Sequence, residues 1–306
     1  MTTLLIGRGL LGRQVKAQLR RGSRGNLRTV DVPWGSHDAA LQALLDAAGE
    51  VARDSPSWRL VWCAGAGVIA TPPADLMAEV RLFEALLDGL SVPPRSMFLA
   101  SSAGGVYAGS PDRPPFTEQS AAAALSPYGA AKLEMERLAG GLTGSGTRVL
   151  VGRIANLYGP GQDLTKPQGL ISQLCVTQQT GRALNLHVSL DTLRDYLFVT
   201  DAATMLVAAL DLLDEEEPGT TVTKIFASGR ALSVAGVVGE AGRVFRRRPL
   251  LSTRAASGSE ARDLRLRSVV WPQVDMLART PLPAGLGATA ADISAQLRAG
   301  ELGQGC

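Results

Sequence analysis

The chain has 306 residues, 45% of them hydrophobic, and a net charge of +3. That length holds one large or two modest domains with a substantial core, and the scattered arginine excess forms no stripe that would imply nucleic acid. Cys63, Cys175 and Cys306 are odd in number and widely spaced, and His37 and His187 are the only histidines, so a disulfide framework, a zinc site and a His-based metal site are excluded and a reducing compartment is expected.

The first predicted strand is Thr3–Ile6, with no signal-like segment before it. It runs into Gly7-Arg8-Gly9-Leu10-Leu11-Gly12. Leu11, Val15 and Leu19 then form one helical stripe that ends in Arg20, Arg21 and Gly22. Strand, glycine turn and helix in this order let the backbone approach a pyrophosphate resting on the helix N-terminus. Gly7, Gly9, Leu10, Leu11 and Gly12 are therefore candidate dinucleotide contacts.

The next strand is predicted over Arg28–Val32. Only one good helix, Asp38–Ala48, fits before the strand Leu60–Ala64, where a dinucleotide fold usually places two helices and a strand. Asp31 thus has two readings. It ends the second strand and holds the adenosine ribose hydroxyls, or its segment serves as the third strand and the acid lies near the adenine. An acid about twenty residues after the glycines favours the first, and with it NAD. Arg8 and Arg13 pull the other way, because arginine near this loop suits the 2′-phosphate of NADP. Ala64, at the end of its strand, is a further candidate cofactor contact.

Leu76, Val80, Phe83 and Leu87 mark the following helix, and Met97–Ser101 the next strand, which closes on Ser101-Ser102. Then comes Tyr128-Gly-Ala-Ala-Lys132, on a helix with Ser126 as its cap, Pro127 in its first turn, and Met135 and Leu138 inward. Four residues is about one helical turn, so Tyr128 and Lys132 share a face. A cation there favours the phenolate and tunes the tyrosine for proton transfer near neutrality. Taken alone, the pair also suits an ordinary surface of an amphipathic helix.

A strand over Arg148–Arg153 completes an alternation that argues for a doubly wound α/β fold, a parallel sheet with helices on both faces. Beyond residue 160 the pattern degrades into a smaller, irregular C-terminal lobe. The expected organisation is a dinucleotide-binding domain over residues 1–160, to which 195–228 return through the helix Asp201–Leu212 and a strand near Lys224–Ala227. Residues 161–194 and 229–306 form the substrate lobe. Arg246–Arg248 read as a solvated charge run, and Gly285–Cys306 as a frayed tail.

Three more segments carry a family resemblance: Leu99-Ala-Ser101-Ser102-Ala-Gly-Gly-Val-Tyr107, Arg153-Ile-Ala-Asn156-Leu-Tyr158-Gly159-Pro160-Gly161, and Arg194-Asp195-Tyr196-Leu-Phe-Val-Thr-Asp201. Together with the glycine loop and Tyr128/Lys132, they resemble the extended short-chain dehydrogenase/reductase family, within it the NAD-dependent epimerase/dehydratase branch that acts on nucleotide sugars. The resemblance implies a Rossmann-like fold and an enzyme. Tyr128 would be the acid/base, Lys132 would hold the nicotinamide ribose, and Ser102 or Ser101 would bond the reacting sugar oxygen. Ser102 is preferred, although Ala103 stands where many relatives place that hydroxyl. Asn156 and Arg194 would contact substrate, Arg194 through the diphosphate. In relatives that dehydrate, an Asp-Glu pair follows the catalytic hydroxyl; that place reads Ala103-Gly104 here. The resemblance therefore implies a cytoplasmic nucleotide-sugar epimerase with NAD, without membrane or nucleic-acid partners, and it allows a homodimer. An NADPH-dependent keto-deoxysugar reductase is the second reading, since the compact stretch after Asp31 is similar to those reductases. A non-catalytic dinucleotide sensor is the third, and the intact Ser, Tyr and Lys argue against it.

Overall fold

The computed structural model describes every residue except 23–24, 66, 69, 166–168, 254–260 and 300–306. The first half runs β1 (Thr2–Ile6), α1 (Leu10–Arg21), β2 (Asn26–Thr29), α2 (His37–Asp54), β3 (Trp58–Trp62), α3 (Pro73–Asp88), β4 (Ser96–Ser102), α4 (Ala103–Tyr107), α5 (Pro127–Gly141) and β5 (Arg148–Ile154). The second half adds β6 (Asn156–Tyr158), α6 (Leu170–Thr180), β7 (Leu184–Leu186), β8 (Leu193–Phe198), α7 (Val199–Glu215), β9 (Thr221–Phe226) and β10 (Ala231–Ser233). It ends with α8 (Val234–Phe245), β11 (Leu251–Thr253), β12 (Asp263–Leu264), α9 (Pro272–Asp275) and α10 (Leu282–Arg298).

Six parallel strands form the main sheet in the order β2-β1-β3-β4-β5-β9. Alternation along each strand feeds two cores. Leu5, Val61, Phe98 and Leu150 pack with α1, α4 and α7 on one face. Leu4, Ile6, Leu60, Trp62, Met97, Leu99, Val149 and Val151 pack with α2, α3 and α5 on the other. The stripe Leu11, Val15, Leu19 is buried, as is Leu76, Val80, Phe83, Leu87. The sheet is doubly wound and Rossmann-like.

The strand order is the usual dinucleotide-binding one, but among the described residues no strand lies outside β2. Only α2 joins β2 to β3. β2 pairs directly with β1, so it is the second strand of the fold and Asp31 lies just past its end, as in the first of the two readings. It ends at Thr29, three residues short of the expected Val32. Pro33 follows, and Trp34 N donates to Val32 O at 3.0 Å, which turns the chain away from the sheet edge.

The C-terminal part has a small core of its own, with Ile171, Leu174 and Cys175 of α6, Val237 and Ala241 of α8, and Leu286 and Ile293 of α10. Here one expectation fails. Residues 285–298 are not a frayed tail but most of α10, whose Leu286 and Ile293 are fully buried. Pro281 caps this helix and Pro283 sits in its first turn, where proline needs no N–H partner. Gly285 is required because the Tyr158 ring fills the place of a Cβ. Residues 300–306, with Cys306, lie outside the described residues. The lobe is stapled to the main sheet: Lys224 of β9, fully buried, donates to Asp275 Oδ1 (2.7 Å), Ser268 Oγ (2.9 Å) and Val270 O (2.6 Å). Among the described residues, no helix is long and apolar enough to cross a membrane, and no cluster of His, Cys, Asp and Glu could hold a metal ion.

Candidate active site

The candidate residues gather at the carboxyl ends of the strands, where open α/β sheets bind ligands. Gly7, at the end of β1, has φ +100°, and a Cβ there would strike the backbone of Cys63 and Ala64 at the exit of β3. Gly12, in the first turn of α1, has the Gly7 carbonyl where its Cβ would be. Both glycines thus bring β1, α1 and β3 together. Gly9 differs: it caps α1 without a side-chain bond, and among the described residues nothing lies within 4 Å of where its Cβ would stand. The first-turn amides of α1, at Leu10 and Leu11, face this open ground with no intrahelical partner. That is the arrangement a pyrophosphate needs. Arg13 Nε donates to Arg8 O at 2.8 Å and so braces the loop, while the Arg8 guanidinium pairs with the Asp31 carboxylate. Both members of that pair are exposed, so it contributes little to stability.

Tyr128 and Lys132 lie on α5, whose N-cap Ser126 accepts from Gly129 N at 3.2 Å. The half-buried Tyr128 ring stands between two glycines. A Cβ on Gly105 of α4 would come within 3.1 Å of it, and one on Gly67, after β3, within 3.6 Å. Gly129 meets the Gly105 carbonyl, so α4 and α5 touch backbone to backbone. Lys132 is only 6% exposed. Its Nζ sits 5.8 Å from the centre of the Tyr128 ring and donates to Glu79 Oε1 of α3 at 3.1 Å.

The two serines at the end of β4 point to opposite sides, as successive strand residues do. Ser101 is buried and donates to Glu136 of α5, which also accepts from Arg153 of β5 at 2.7 Å. Arg153 Nη1 donates to Tyr107 Oη (2.8 Å), and Tyr107 Oη to Thr117 O (2.9 Å). Burial pushes the Tyr107 phenol up, the neighbouring Arg153 opposing it. Ser102 is half-buried and caps α4, accepting from Gly105 N at 3.1 Å. Gly105 thus joins Ser102 to the Tyr128 slot. Glu136→Ala should lower the unfolding free energy by about 3–5 kcal/mol in denaturant titration, because it leaves Arg153 buried without its carboxylate; Ser101→Ala should cost about 1–3 kcal/mol.

Asn156 is exposed at the start of β6, opposite Tyr196 of β8. Arg194 is half-buried on β8 and donates to Leu193 O (2.9 Å) and Arg262 O (3.4 Å). Its strand reaches the site through Leu264 of β12, which pairs with Arg194 and lies 3.9 Å from where a Cβ on Gly104 would be. Asp195 is buried and holds the turn after β9, accepting from Ser228 N (2.7 Å) and Arg230 N (3.1 Å). Burial raises its pKa, and these hydrogen bonds oppose the rise. Asp201 accepts from Thr280 N at 2.7 Å.

A family model, NAD dependent epimerase/dehydratase family, matches residues 64–223, more than half of the chain. The chain belongs to the NAD-dependent epimerase/dehydratase family. It is an enzyme of the extended short-chain dehydrogenase/reductase type, and the match runs from Ala64 through Tyr128, Lys132, Asn156 and Arg194. Comparison with curated proteins finds no match. Among solved structures, this family member superposes on the Thermotoga maritima UDP-glucose 4-epimerase bound to UDP-glucose, with TM-score 0.82 and 19% identity over 97% of this chain and 100% of that one. MoeE5 in complex with UDP-glucuronic acid and NAD gives TM-score 0.78 and 23% identity over 97% and 100%. TunA, an NAD-dependent NDP-hexosamine 5,6-dehydratase, gives 0.74 and 21% over 96% and 98%. At these identities the likeness shows the fold.

Glu79, Glu136 and the glycine slot escape a sequence reading. Glu79 is 53 residues from Lys132 and Glu136 is 35 from Ser101, and no local period joins such pairs. Only Gly104-Gly105 carries a signal, as two glycines opening a helix where nothing local needs them.

Proposed function

We propose that this enzyme is an NAD-dependent nucleotide-sugar epimerase in which Tyr128 is the acid/base at a sugar hydroxyl. The observation that carries this reading is Tyr128 held in a glycine slot with the Lys132 ammonium 5.8 Å from its ring. The residues present fit NAD: Gly9 leaves room over α1, and Asp31 lies past the second strand, where a carboxylate meets ribose hydroxyls. MoeE5 is complexed with NAD, and both it and the Thermotoga enzyme with UDP-sugars, which supports the same ligand classes here. Bound NAD supplies reversible hydride exchange at the sugar carbon. Tyr128 takes the hydroxyl proton as the carbon is oxidised and returns it when the other face is reduced. Lys132 holds the nicotinamide ribose. Ser102 bonds the same sugar oxygen and Asn156 contacts the sugar. Dehydration is disfavoured, since α4 opens with Ala103-Gly104 and offers no acid. Incubating the protein with NAD and a panel of nucleotide hexoses, and separating the epimers by chromatography, tests the reading. Interconversion without net change in nicotinamide absorbance is expected. A specific observation favours a second reading, an NADPH-dependent keto-sugar reductase: the sheet stops at β2, and Arg8 stands beside Asp31. Net NADPH oxidation by a keto-sugar nucleotide, with no interconversion, would establish it instead.

Substitutions at two positions test the binding roles. Asp31 repels a 2′-phosphate and occupies Arg8, so Asp31→Ala should narrow or reverse the preference for NAD over NADP, read as the ratio of kcat/KM values. A wild type that already prefers NADPH would make Arg8 the phosphate partner. Arg194 is assigned to the substrate diphosphate, where a guanidinium fork bonds two oxygens. Arg194→Lys should weaken binding of a nucleoside diphosphate and Arg194→Ala should weaken it more, with dinucleotide affinity unchanged in calorimetry. Unchanged diphosphate binding in the Ala variant would remove that role.

A further inference from the structure

Among the described residues, Trp34 is the most exposed aromatic side chain, 53% open to solvent, and it stands three residues past Asp31. It is the second residue of a turn that Ser36 N closes on Pro33 O at 3.1 Å. On one side of the turn, Asp31 is paired with Arg8 of the glycine loop. On the other, the Ser36 hydroxyl caps α2, accepting from Ala39 N at 3.4 Å. The indole itself is held from below. Its ring is perpendicular to that of Trp62, with centres 6.4 Å apart, and Trp62 lies against Phe83 at 4.9 Å. Trp62 ends β3, Phe83 belongs to α3, and both are fully buried. Trp34 is thus the outer member of an aromatic file rooted in the core. Half of its surface stays in water, so it forgoes much of the burial that a tryptophan usually gains. Packing explains where the ring is held, and leaves open why so large a ring stands there.

We propose that Trp34 is the wall on which the adenine of the dinucleotide stacks. The inference rests on the NAD reading and extends the cofactor site to a residue outside the glycine loop. The order of groups points to it. A dinucleotide with its pyrophosphate over the α1 amides and its adenosine ribose at Asp31 carries its base further outward, past β2. The chain beyond Asp31 is the turn Val32–Ser36. In the usual strand order another strand stands outside β2; among the described residues none does here, so this turn borders the edge of the sheet. Within the turn, the Ser36 hydroxyl is engaged as a cap, and Trp34 supplies the one aromatic face. Stacking asks only for such a face, and an indole already held against Trp62 has little freedom left to lose.

A ring that serves only as a lid over Trp62 predicts a different result, and ADP-ribose, the adenosine half of NAD without its nicotinamide, separates the two. Calorimetric titration of the wild-type protein should show saturable binding of NAD and of ADP-ribose, and both should quench tryptophan fluorescence. Trp34→Ala should weaken each ligand about 5- to 100-fold, the range that loss of base–aromatic stacking gives, and should reduce the quenching. Trp34→Phe keeps a flat ring and should fall between the two. Trp34→Leu keeps an apolar cover over Trp62 without a flat face; it should weaken ADP-ribose as the Ala variant does, and it stands in if the Ala variant does not fold. A lid would instead give a lowered thermal transition with ADP-ribose affinity unchanged, and that outcome in a folded Ala or Leu variant would overturn the proposal. A wild type that binds neither NAD nor ADP-ribose would remove the NAD reading and the role of Trp34 with it, whereas binding that the variants retain removes the role of Trp34 alone.

Discussion

Tyr128→Phe should cut turnover at least ~100-fold, the usual size of a general acid–base contribution, while the protein stays folded. The substitution removes one oxygen and leaves the ring. The ring is what the surroundings hold, between Gly105 of α4 and Gly67 after β3, with Lys132 5.8 Å from its centre. Among the described residues, no hydrogen bond that shapes the fold depends on the phenolic oxygen: the helix is capped by Ser126, and Lys132 keeps its bond to Glu79. Thermal unfolding and NAD affinity should therefore match wild type, and the loss should lie in kcat. The serines give a companion measurement. Ser102→Ala should lower kcat with modest loss of stability, because the hydroxyl caps a short helix beside the slot. Ser101→Ala should lower stability more than kcat, because its hydroxyl is bound to Glu136 away from the slot. Near-wild-type turnover in a folded Tyr128→Phe enzyme would take the tyrosine out of the chemistry.

The parts legible in the sequence are those with a local period or cap. Leu11, Val15 and Leu19 announce α1, and the apolar run Leu4-Leu5-Ile6 announces β1, which feeds both cores. Ser126-Pro127 announces the start of α5. The Tyr–Lys pair was readable because both residues belong to one helix. Errors arose where tertiary contact overrides local signal. Gly285–Cys306 reads as a frayed tail, yet α10 forms, because Pro281 and Pro283 fall at its start and Gly285 packs on Tyr158. The compact stretch between Asp31 and β3 was legible as a deficit of residues. That no strand lies outside β2 among the described residues became visible only in the strand order. The ion partners of the site, Glu79 and Glu136, come from contacts across the fold that no spacing rule reaches.

Gly9→Val should abolish dinucleotide binding in a protein that still folds, and the three loop glycines explain why this position separates the two effects. At Gly7 and Gly12 a side chain would collide with the protein itself, with the Cys63–Ala64 backbone in one case and the Gly7 carbonyl in the other. Substitution there should destabilise the fold and would say nothing specific about a ligand. Gly9 has φ −72° in extended backbone, open to any residue, and its Cβ would point into empty space. A valine is tolerated by the apo protein at the modest cost of a poorer helix cap, about 1 kcal/mol. Its branched carbons would stand over the unpaired amides of Leu10 and Leu11, on the ground assigned to the pyrophosphate. Calorimetric titration of NAD into the variant should show no saturable binding, with the thermal transition close to that of wild type. Gly12→Val should show the reverse order of damage, a lowered transition before any question of affinity. Unchanged NAD affinity in folded Gly9→Val would reduce the glycine loop to a turn, and the cofactor would then have to lie elsewhere along the carboxyl edge of the sheet.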